Sequence, residues 1–424
     1  MRESVYSTSF FYYGSGERTH NTITAKMVSK DTIDGECVRK AVAKTEQRYP
    51  YLKRKVGRNF NRVWLEENDC PFALIEGGKP PVLGTEETNL HLVAFGWDEK
   101  DLYVHAFHGF LDGFGVSRVL KTFVYYYVLE KYGVTAAGKG TYTLDDVISE
   151  DESKDVFPGK RPKDIKPLTR MPRFFGALKL RKAMKKAGHD NSWDPYIYHI
   201  HVPRKSLTDA MSRTDGSPAP YISILLARAV ESIHGKTRRP VAIGIPINYR
   251  PAVKGMKSVK CAIYTLHVIY DESIKKLPLD KQCTAVRGRV FLMADQDSIL
   301  SELNFQRKIF NLFNCIPTRG LKRLGAKIIM KINMMDETFA VSYTGQSDFG
   351  GAEEYFERVD AIVDLCSEDV MLEVCVIGDM YSITFMQAFK DSMYVDAFME
   401  QLKNENIAGE IVKAEPLVTP TVKI

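Results

Sequence analysis

Apolar residues in the first half of the chain follow two different spacings. Alternation of apolar and polar positions predicts a strand at residues 21–29, and strand-like segments predict further strands at residues 60–65, 90–96 and 102–107. A helix is predicted after the first strand, because Asp34 is placed to cap it and Pro50 to end it. A second helix is predicted at residues 116–128, where apolar residues recur three and four positions apart. The first half therefore predicts strands with helices packed against them.

The second half continues this mixture with more strands. Strands are predicted at residues 196–202, 240–251, 261–270 and 338–344, together with a hairpin over residues 371–389. Helices are predicted at residues 221–233, in stretches of 279–332, at 355–363 and at 392–403. Strands that alternate with helices and hairpins are typical of an α/β fold with mixed sheets, which is the fold class that we predict.

The length and a change in composition predict two lobes. A chain of 424 residues exceeds the size at which a single hydrophobic core stops growing. Between residues 151 and 192, twelve Lys and Arg residues stand against five Asp and Glu residues, and prolines recur in the first half of the segment. We interpret this segment as a connection, and assign residues 1–175 to an N-terminal lobe and residues 176–424 to a C-terminal lobe.

Composition and charge exclude several classes of protein. The 44% of hydrophobic and 26% of charged residues are typical of a globular protein and not of a disordered or fibrous one. No window approaches the ~18 uninterrupted apolar residues of a membrane-spanning helix, and residues 1–20 show no secretory signal, so a cytoplasmic location is expected. The seven cysteines lack the spacing of metal ligands, and no metal is expected. The net charge of +6 is compatible with a site for anionic phosphates and does not by itself indicate nucleic acid.

The stretch VHAFHGFLDGFGV, residues 104–116, places polar side chains in an otherwise apolar run between a predicted strand and a predicted helix. A histidine accepts a proton near neutral pH, and a carboxylate near it can orient it, so His108 and Asp112 are candidates for acid–base chemistry. Gly113 and Gly115 are expected to permit a turn that a Cβ would block. These residues form the candidate catalytic segment.

Two other interpretations of the same stretch stay open from the residues alone. His108 is also compatible with a buried core histidine whose hydrogen bonds are satisfied. His105, His108 and Asp112 are residue types that bind zinc, although glycines in the stretch argue against a single helical face that presents all three.

The segment HGFLDG resembles the HxxxDG signature of the chloramphenicol acetyltransferase-like superfamily. This superfamily includes condensation domains of peptide synthetases, plant acyltransferases and stand-alone alcohol O-acetyltransferases. Other segments are similar to the family in the same order along the chain: TIDGECVRKAVAKTEQRYPYLKRKV, DLYVHAFHGFLDGFGV, IPINYRP and VSYTGQ. The resemblance spans nearly the whole chain.

Two departures from the family pattern indicate which branch of the superfamily the chain resembles. Condensation domains carry two adjacent histidines before the rest of the signature, whereas Phe107 precedes His108 here. The DFGWG motif of the plant enzymes is also missing, because the similar letters DFGG at residues 348–351 lack the tryptophan. Both departures favour a stand-alone O-acyltransferase.

The resemblance implies a two-lobed fold with an active-site tunnel at the lobe interface. It implies transfer of an acyl group, with acetyl as the expected case, from a coenzyme A thioester to the hydroxyl of a small or lipophilic alcohol. His108 would be the general base, and no covalent enzyme intermediate would form. Asp112 would be structural and paired with Arg250 of the IPINYRP segment.

The resemblance also suggests which groups contact the reacting atoms. The backbone N–H of Gly113 and a hydroxyl of Ser342 or Thr344 are candidates for stabilising the oxyanion. Tyr249 and Tyr343 are candidates for lining the acceptor path. No tightly bound cofactor is implied, since acyl-CoA is a co-substrate.

Two alternative functions are also compatible with the resemblance, and the basic connection has several candidate partners. One alternative is a condensation-type enzyme that takes its acyl group from a phosphopantetheinyl carrier protein and transfers it to an amine or a hydroxyl. The other is a non-catalytic binding module on the same fold. The basic connection is compatible with coenzyme A phosphates or an acidic carrier, and its amphipathic part, residues 173–186, with a membrane surface without stable insertion.

Overall fold

Two large β-sheets with helices packed on them form the fold of the computed structural model, which describes residues 3, 6–16, 19–154, 176–253, 256–334, 336–365 and 368–420. The strands are β1 Thr22–Ser29, β2 Arg54–Arg58, β3 Val63–Glu67, β4 Leu74–Glu76, β5 Val93–Trp97, β6 Asp101–Phe107, β7 Tyr196–Pro203, β8 Val241–Asn248, β9 Ile263–Tyr270, β10 Phe339–Gln346, β11 Phe356–Val363, β12 Val370–Ile377, β13 Met380–Gln387 and β14 Glu410–Pro416. The helices are α1 Tyr6–Gly14, α2 Gly35–Arg48, α3 Gly113–Tyr132, α4 Leu180–Lys186, α5 Arg204–Ser212, α6 Pro218–His234, α7 Glu272–Lys275, α8 Leu279–Met293, α9 Gln296–Asn314, α10 Arg319–Met334 and α11 Met393–Asn404.

The strand orders show how the sequence is distributed between the sheets. The first sheet has the order β11-β1-β6-β5-β4, and the second has the order β14-β7-β13-β12-β10-β8-β9. Strand β10 runs parallel to β8 and β12, whereas most other neighbours are antiparallel. The predicted α/β fold with mixed sheets is therefore confirmed. The predicted lobe boundary at residues 175 and 176 lies next to 155–175, outside the described residues.

The helices pack on the two sheets through their apolar faces. Helices α2 and α3 pack on each other and on the first sheet, while α6 packs on the second sheet and on α11. Asp34 caps α2 as predicted, since its Oδ1 accepts from the N–H groups of Glu36 at 2.8 Å and Cys37 at 3.1 Å. Across the described ranges, every helix is too short or too polar to traverse a bilayer.

The predicted helix at residues 355–363 is wrong, because residues 356–363 form strand β11, which pairs with β1. The apolar residues of this segment match helical spacing only if Arg358 and Asp360 are placed on a solvent-facing side. In the structure Asp360 is fully buried where the two sheets meet, so an ionic residue occupies an interior position. Helix α1 and strand β14 were not predicted either.

A buried polar cluster lies where strands of the two sheets meet. His199 Nδ1 of β7 lies 3.1 Å from an Asp360 carboxylate oxygen, and Arg358 Nε lies 3.0 Å from the same atom. The hydroxyl of Ser382 donates to the other oxygen of Asp360. Burial acts to lower the pKa of His199, but the carboxylates of Asp360 and Glu415 outweigh it and raise that pKa. Ion pairs therefore connect the sheets inside the protein.

Glu373 of β12, in the second sheet, is another buried acid and makes the free energy of unfolding depend on pH. Burial raises its pKa from 4.5 to about 7, against the opposing effect of a hydrogen bond from Ser342. Between these two values the folded protein holds a proton that the unfolded chain releases, so the free energy of unfolding falls as pH rises from 4.5 to 7. The contribution is fully present below pH 4.5 and is lost above pH 7.

We expect Glu373→Gln to remove this loss. Relative to the unmodified protein, the variant should gain up to roughly 3 kcal/mol in free energy of unfolding between pH 4.5 and pH 7. Urea unfolding at the two pH values measures the difference. If the free energies of unfolding of the variant and the unmodified protein differed by the same amount at both pH values, the raised pKa of Glu373 would be contradicted.

Candidate active site

The candidate catalytic segment lies between the end of β6 and the start of α3. Strand β6 ends at Phe107, and the backbone N–H of His108 donates to the carbonyl of Asn21 at 2.6 Å. Four residues later Asp112 caps α3, and its side chain accepts from the N–H of Gly115 at 3.0 Å. The segment is therefore a strand-to-helix junction, as predicted.

Asp112 is anchored by donors on every described contact of its carboxylate. Arg250 donates from both terminal nitrogens, at 2.8 and 3.0 Å, in a two-bond pair. The backbone N–H groups of Gly115 and Ala262 complete the set at 3.0 and 2.8 Å. Since none of these partners is His108, the carboxylate holds the loop and does not orient the imidazole.

Arg250 is equally well anchored on its other side. Its Nε donates to the carbonyl of Ser258 at 2.6 Å, one terminal nitrogen donates to Asn248 Oδ1 at 3.0 Å, and the other donates to the carbonyl of Lys260. The guanidinium also lies 4.4 Å from the ring centroid of Phe114. Arg250 thus ties residues 258–262 to the start of α3.

Segment 258–262 decides which glycine the junction requires. A Cβ on Gly115 would stand 2.1 Å from the carbonyl oxygen of Val259, which is closer than atoms can approach. A Cβ on Gly113 would meet only Thr344 Cγ2, at 3.9 Å. The prediction that a Cβ would block the turn is therefore confirmed at Gly115 and wrong at Gly113.

The two glycines give a matched pair for a stability test. We expect Gly115→Ala to lower the free energy of unfolding by about 1 to 3 kcal/mol, because the backbone of Val259 must move. Gly113→Ala occupies open space and should leave the free energy of unfolding within about 0.5 kcal/mol. Urea unfolding of both variants compares them directly, and a more costly Gly113→Ala would contradict this account.

His108 lies beside an aromatic ring of α1, near the N-terminus of the chain. The ring of Phe11 in α1 stacks on the imidazole with centroids 5.5 Å apart and planes 15° apart. Nδ1 is buried, with no hydrogen-bond partner among the described residues. Burial lowers the pKa of His108 below 6.5, against opposing effects of nearby backbone carbonyls and of Asp112. The imidazole is therefore neutral at neutral pH and able to accept a proton.

His105 occupies a different environment from His108. It is fully buried in β6, where its Nδ1 lies 2.9 Å from the hydroxyl of Thr24 and its ring stacks on Tyr103. Burial lowers its pKa to about 3. In the part of the chain that the structure describes, no three His, Cys, Asp or Glu residues are grouped as metal ligands.

Of the two hydroxyl groups predicted to stabilise the oxyanion, one lies next to the junction and one does not. Thr344 faces Gly113 through its methyl group, while its hydroxyl donates to the carbonyl of Val374 at 3.3 Å. The hydroxyl of Ser342 instead contacts the carboxyl of Glu373. Thr344 is therefore the hydroxyl candidate that the fold places next to the motif.

The two predicted tyrosines lie in separate surroundings. Tyr249 is buried in a small apolar cluster with Ala252, Ile299 and Leu303, and its N–H donates to Ala262 at 3.1 Å. Tyr343 is half-buried in β10, and burial raises its pKa to about 12. Roles for both along an acceptor path stay predictions.

The N-terminal helix contributes to the site through contacts that the sequence does not predict. The hydroxyl of Thr8 donates to the carbonyl of Gly109 at 2.8 Å, and Phe11 stacks on His108, so α1 lies against the motif. The aromatic letters SFFYY at residues 9–13 are the one signal in the sequence, and they do not reveal a partner about a hundred positions away.

The described end of the basic connection packs into the protein. Leu180 and Met184 of α4 are fully buried, and Lys179 Nζ donates to the carbonyl of Glu337 at 2.6 Å. The apolar side of α4 is thus covered by the core. Most of the connection, residues 155–175, lies outside the described residues, and its partners stay predictions.

Comparisons with known proteins identify the fold through structure and not through sequence. No protein-family model and no curated protein sequence matches the chain. Polyketide synthase associated protein 5 from Mycobacterium tuberculosis has a TM-score of 0.59 at 9% identity, over 96% of this chain and 97% of that one. The first condensation domain of the calcium-dependent antibiotic synthetase has a TM-score of 0.59 at 10% identity, over 96% of each chain.

A third solved structure extends the comparison to a coenzyme A complex. F. sporotrichioides TRI101, solved with coenzyme A and T-2, has a TM-score of 0.54 at 10% identity, over 95% of this chain and 97% of that one. All three align over nearly their whole length, so the similarity covers both sheets. The chain therefore has the two-lobed fold that these three solved structures share.

Proposed function

We propose that the chain is an acyltransferase that moves an acyl group, with acetyl as the expected case, from a coenzyme A thioester to an alcohol hydroxyl. The hydroxyl transfers its proton to the imidazole of His108, and its oxygen attacks the thioester carbonyl carbon. The tetrahedral oxyanion then collapses, the C–S bond breaks, and the thiolate takes the proton back from the imidazolium. The products are an ester and free coenzyme A, and no acyl group is attached to the protein.

One observation carries this proposal, which is the neutral imidazole at a rigid strand-to-helix junction. The pKa of His108 is lowered by burial, so the ring is in its basic form at neutral pH. Because Nδ1 is enclosed, Nε2 is the proposed proton acceptor. The buried pair of Asp112 and Arg250 fixes the loop that carries the base.

The groups that stabilise the oxyanion are assigned by proximity. The N–H of Gly113 lies in the first turn of α3, where the helix dipole favours negative charge. Thr344 is the hydroxyl next to Gly113. Cysteine nucleophiles are not needed, and burial raises the pKa of the nearby thiols of Cys261 and Cys375.

The second candidate function is condensation with a carrier-bound thioester. Its support is the similarity to a condensation domain that matches the fold as well as any of the three structures compared above. Coenzyme A is preferred as donor because TRI101, which shares the fold, was solved with coenzyme A. The signature of this chain has one histidine, His108, where the usual condensation pattern has two adjacent histidines.

The test follows free thiol release from acyl-CoAs in the presence of pooled alcohols and pooled amines. Release that needs an alcohol supports the proposal, and mass spectrometry of the product then gives the acceptor. Release only from an acyl-loaded carrier protein would support the condensation alternative. Absence of transfer from either donor, with ligand binding retained, would instead indicate a binding module.

A further inference from the structure

A cationic cavity lies on the side of α1 that faces away from the motif. The cavity has a volume of about 270 Å³. Its lining includes Ser9, Tyr13, Arg62, Asn311, Asn314 and Lys322. It is thus formed by α1, the end of α9, the first turn of α10 and the residues just before β3.

Lys322 makes this cavity electrostatically unusual. The residue is 2% exposed, and its Nζ uses one of three donor hydrogens on the carbonyl of Asn61 at 3.1 Å. Burial lowers the pKa of Lys322, and the positive charge of Arg62 lowers it further. A buried ammonium beside a guanidinium is unfavourable unless an anion compensates both charges.

The protein itself supplies no such anion in its described parts. No ion pair to Arg62, Arg319 or Lys322 occurs among the described residues, and the buried Nε of Arg319 has no hydrogen-bond partner there. In the sequence, residues 307–335 contain seven Lys and Arg residues and no Asp or Glu. The positive end of α10, which begins at Arg319, adds to the attraction for an anion.

Helix α1 connects the cavity to the candidate active site. Ser9 and Tyr13 line the cavity, whereas Thr8 bonds to Gly109 and Phe11 stacks on His108. The cavity and the proposed base therefore lie on different sides of one helix, which is about 10 Å across with its side chains. A ligand that reaches both would carry its negative groups away from its reacting end.

We propose that this cavity binds a phosphate or diphosphate group through Lys322 and Arg62. Resting on the proposed function, the inference further assigns that group to the acyl donor, as the phosphates of coenzyme A. Phosphopantetheine on a carrier and free inorganic phosphate share the same chemistry and are separated by the test.

The test measures binding by calorimetry with the full chain, using pyrophosphate, coenzyme A, phosphopantetheine and phosphate-free pantetheine as probes. Pyrophosphate and coenzyme A should bind, and pantetheine should bind at least 10-fold more weakly than coenzyme A. Lys322→Met should weaken coenzyme A and pyrophosphate about 10-fold or more, because charge-assisted hydrogen bonds are lost. Lys331→Met, which removes an exposed charge from the same helix, is the matched control and should leave both affinities unchanged.

Arg62→Gln provides a second variant at an exposed position, in case Lys322→Met does not fold. It should also weaken both ligands without changing the melting temperature. In transfer assays, Lys322→Met should raise KM for acyl-CoA and leave KM for acyl-pantetheine unchanged.

The outcomes separate this inference from the proposed function. Binding needs no turnover, so the cavity is tested even if no acyl transfer is found. Lack of pyrophosphate and coenzyme A binding, or binding that both variants leave unchanged, would overturn the anion site. Pyrophosphate binding with no competition from coenzyme A would overturn the assignment to the donor, and tighter binding of phosphopantetheine than of coenzyme A would overturn coenzyme A as its source.

Discussion

Replacement of Asp112 by alanine is expected to lower the free energy of unfolding by about 3 to 5 kcal/mol, which is enough to unfold a marginally stable protein. The side chains of Asp112 and Arg250 are 3% and 4% exposed, so the variant leaves an uncompensated guanidinium in the interior. The same change removes the cap of α3 and the acceptor for the N–H of Ala262. Urea unfolding or the melting temperature measures the loss.

Burial, and not distance, sets the size of this effect, and a surface pair offers the control. Lys205 and Asp209 form an ion pair at 2.6 Å, slightly shorter than the 2.8 Å of the buried pair, but their side chains are 85% and 57% exposed. Asp209→Ala should therefore cost less than about 1 kcal/mol. Equal losses for the two alanine variants would contradict the anchoring role of Asp112.

A double variant tests whether the pair acts as a unit. Replacing Asp112 and Arg250 together, by Leu and Met, removes both buried charges and the penalty of leaving either one alone. The double variant should be more stable than the sum of the two single losses predicts. Additive losses would indicate that each side chain stabilises the loop independently.

The residues of the junction could be predicted because the information is local. His108, Asp112 and the cap of α3 lie within a few positions of one another, and the IPINYRP segment resembles a known pattern that contains Arg250. The structure confirms the pair of Asp112 and Arg250 that the resemblance implied. Local runs of apolar residues also sufficed to predict most strands of the two sheets, although several of these strands are buried along their whole length.

The errors arose where a distant segment decides the outcome. That glycine is required at 115 and not at 113 depends on the carbonyl of Val259, which the sequence gives no means to place. The identity of β11 as a strand depends on buried partners of Asp360, which are the imidazole of His199 in β7 and the hydroxyl of Ser382 in β13. A prediction from periodicity places charged residues on the solvent-facing side of an element. Such a prediction fails where charged residues are paired inside the protein.

The role of α1 illustrates the same limit at the site itself. Phe11 covers one face of His108, and the ring contributes to the burial that lowers the pKa of His108. A short aromatic helix near the start of the chain carries no pattern that specifies this contact. The proposed base, His108, could thus be identified from the sequence, but the environment that sets its pKa could not.

His108→Ala is expected to lower kcat/KM for acyl transfer by about 100- to 10,000-fold, the contribution typical of a general base. The protein should still fold, because His108 is not part of the ion pair that anchors the loop. Circular dichroism and the melting temperature check the fold, and thiol release measures the rate. Transfer that proceeds at the original rate in a folded variant would falsify the assignment of the base.

The dependence of the rate on pH identifies which histidine acts. Since burial lowers the pKa of His108 below 6.5, kcat/KM of the unmodified protein should be constant around pH 7 to 8 and should fall only as pH drops through that lowered value. This acidic limb should disappear in His108→Ala. His105→Gln should keep both the rate and the acidic limb, because His105, with a pKa of about 3, is bonded to Thr24 inside the sheet. If His105→Gln abolished the limb and His108→Ala kept it, the base would be His105, and the junction would serve structure alone.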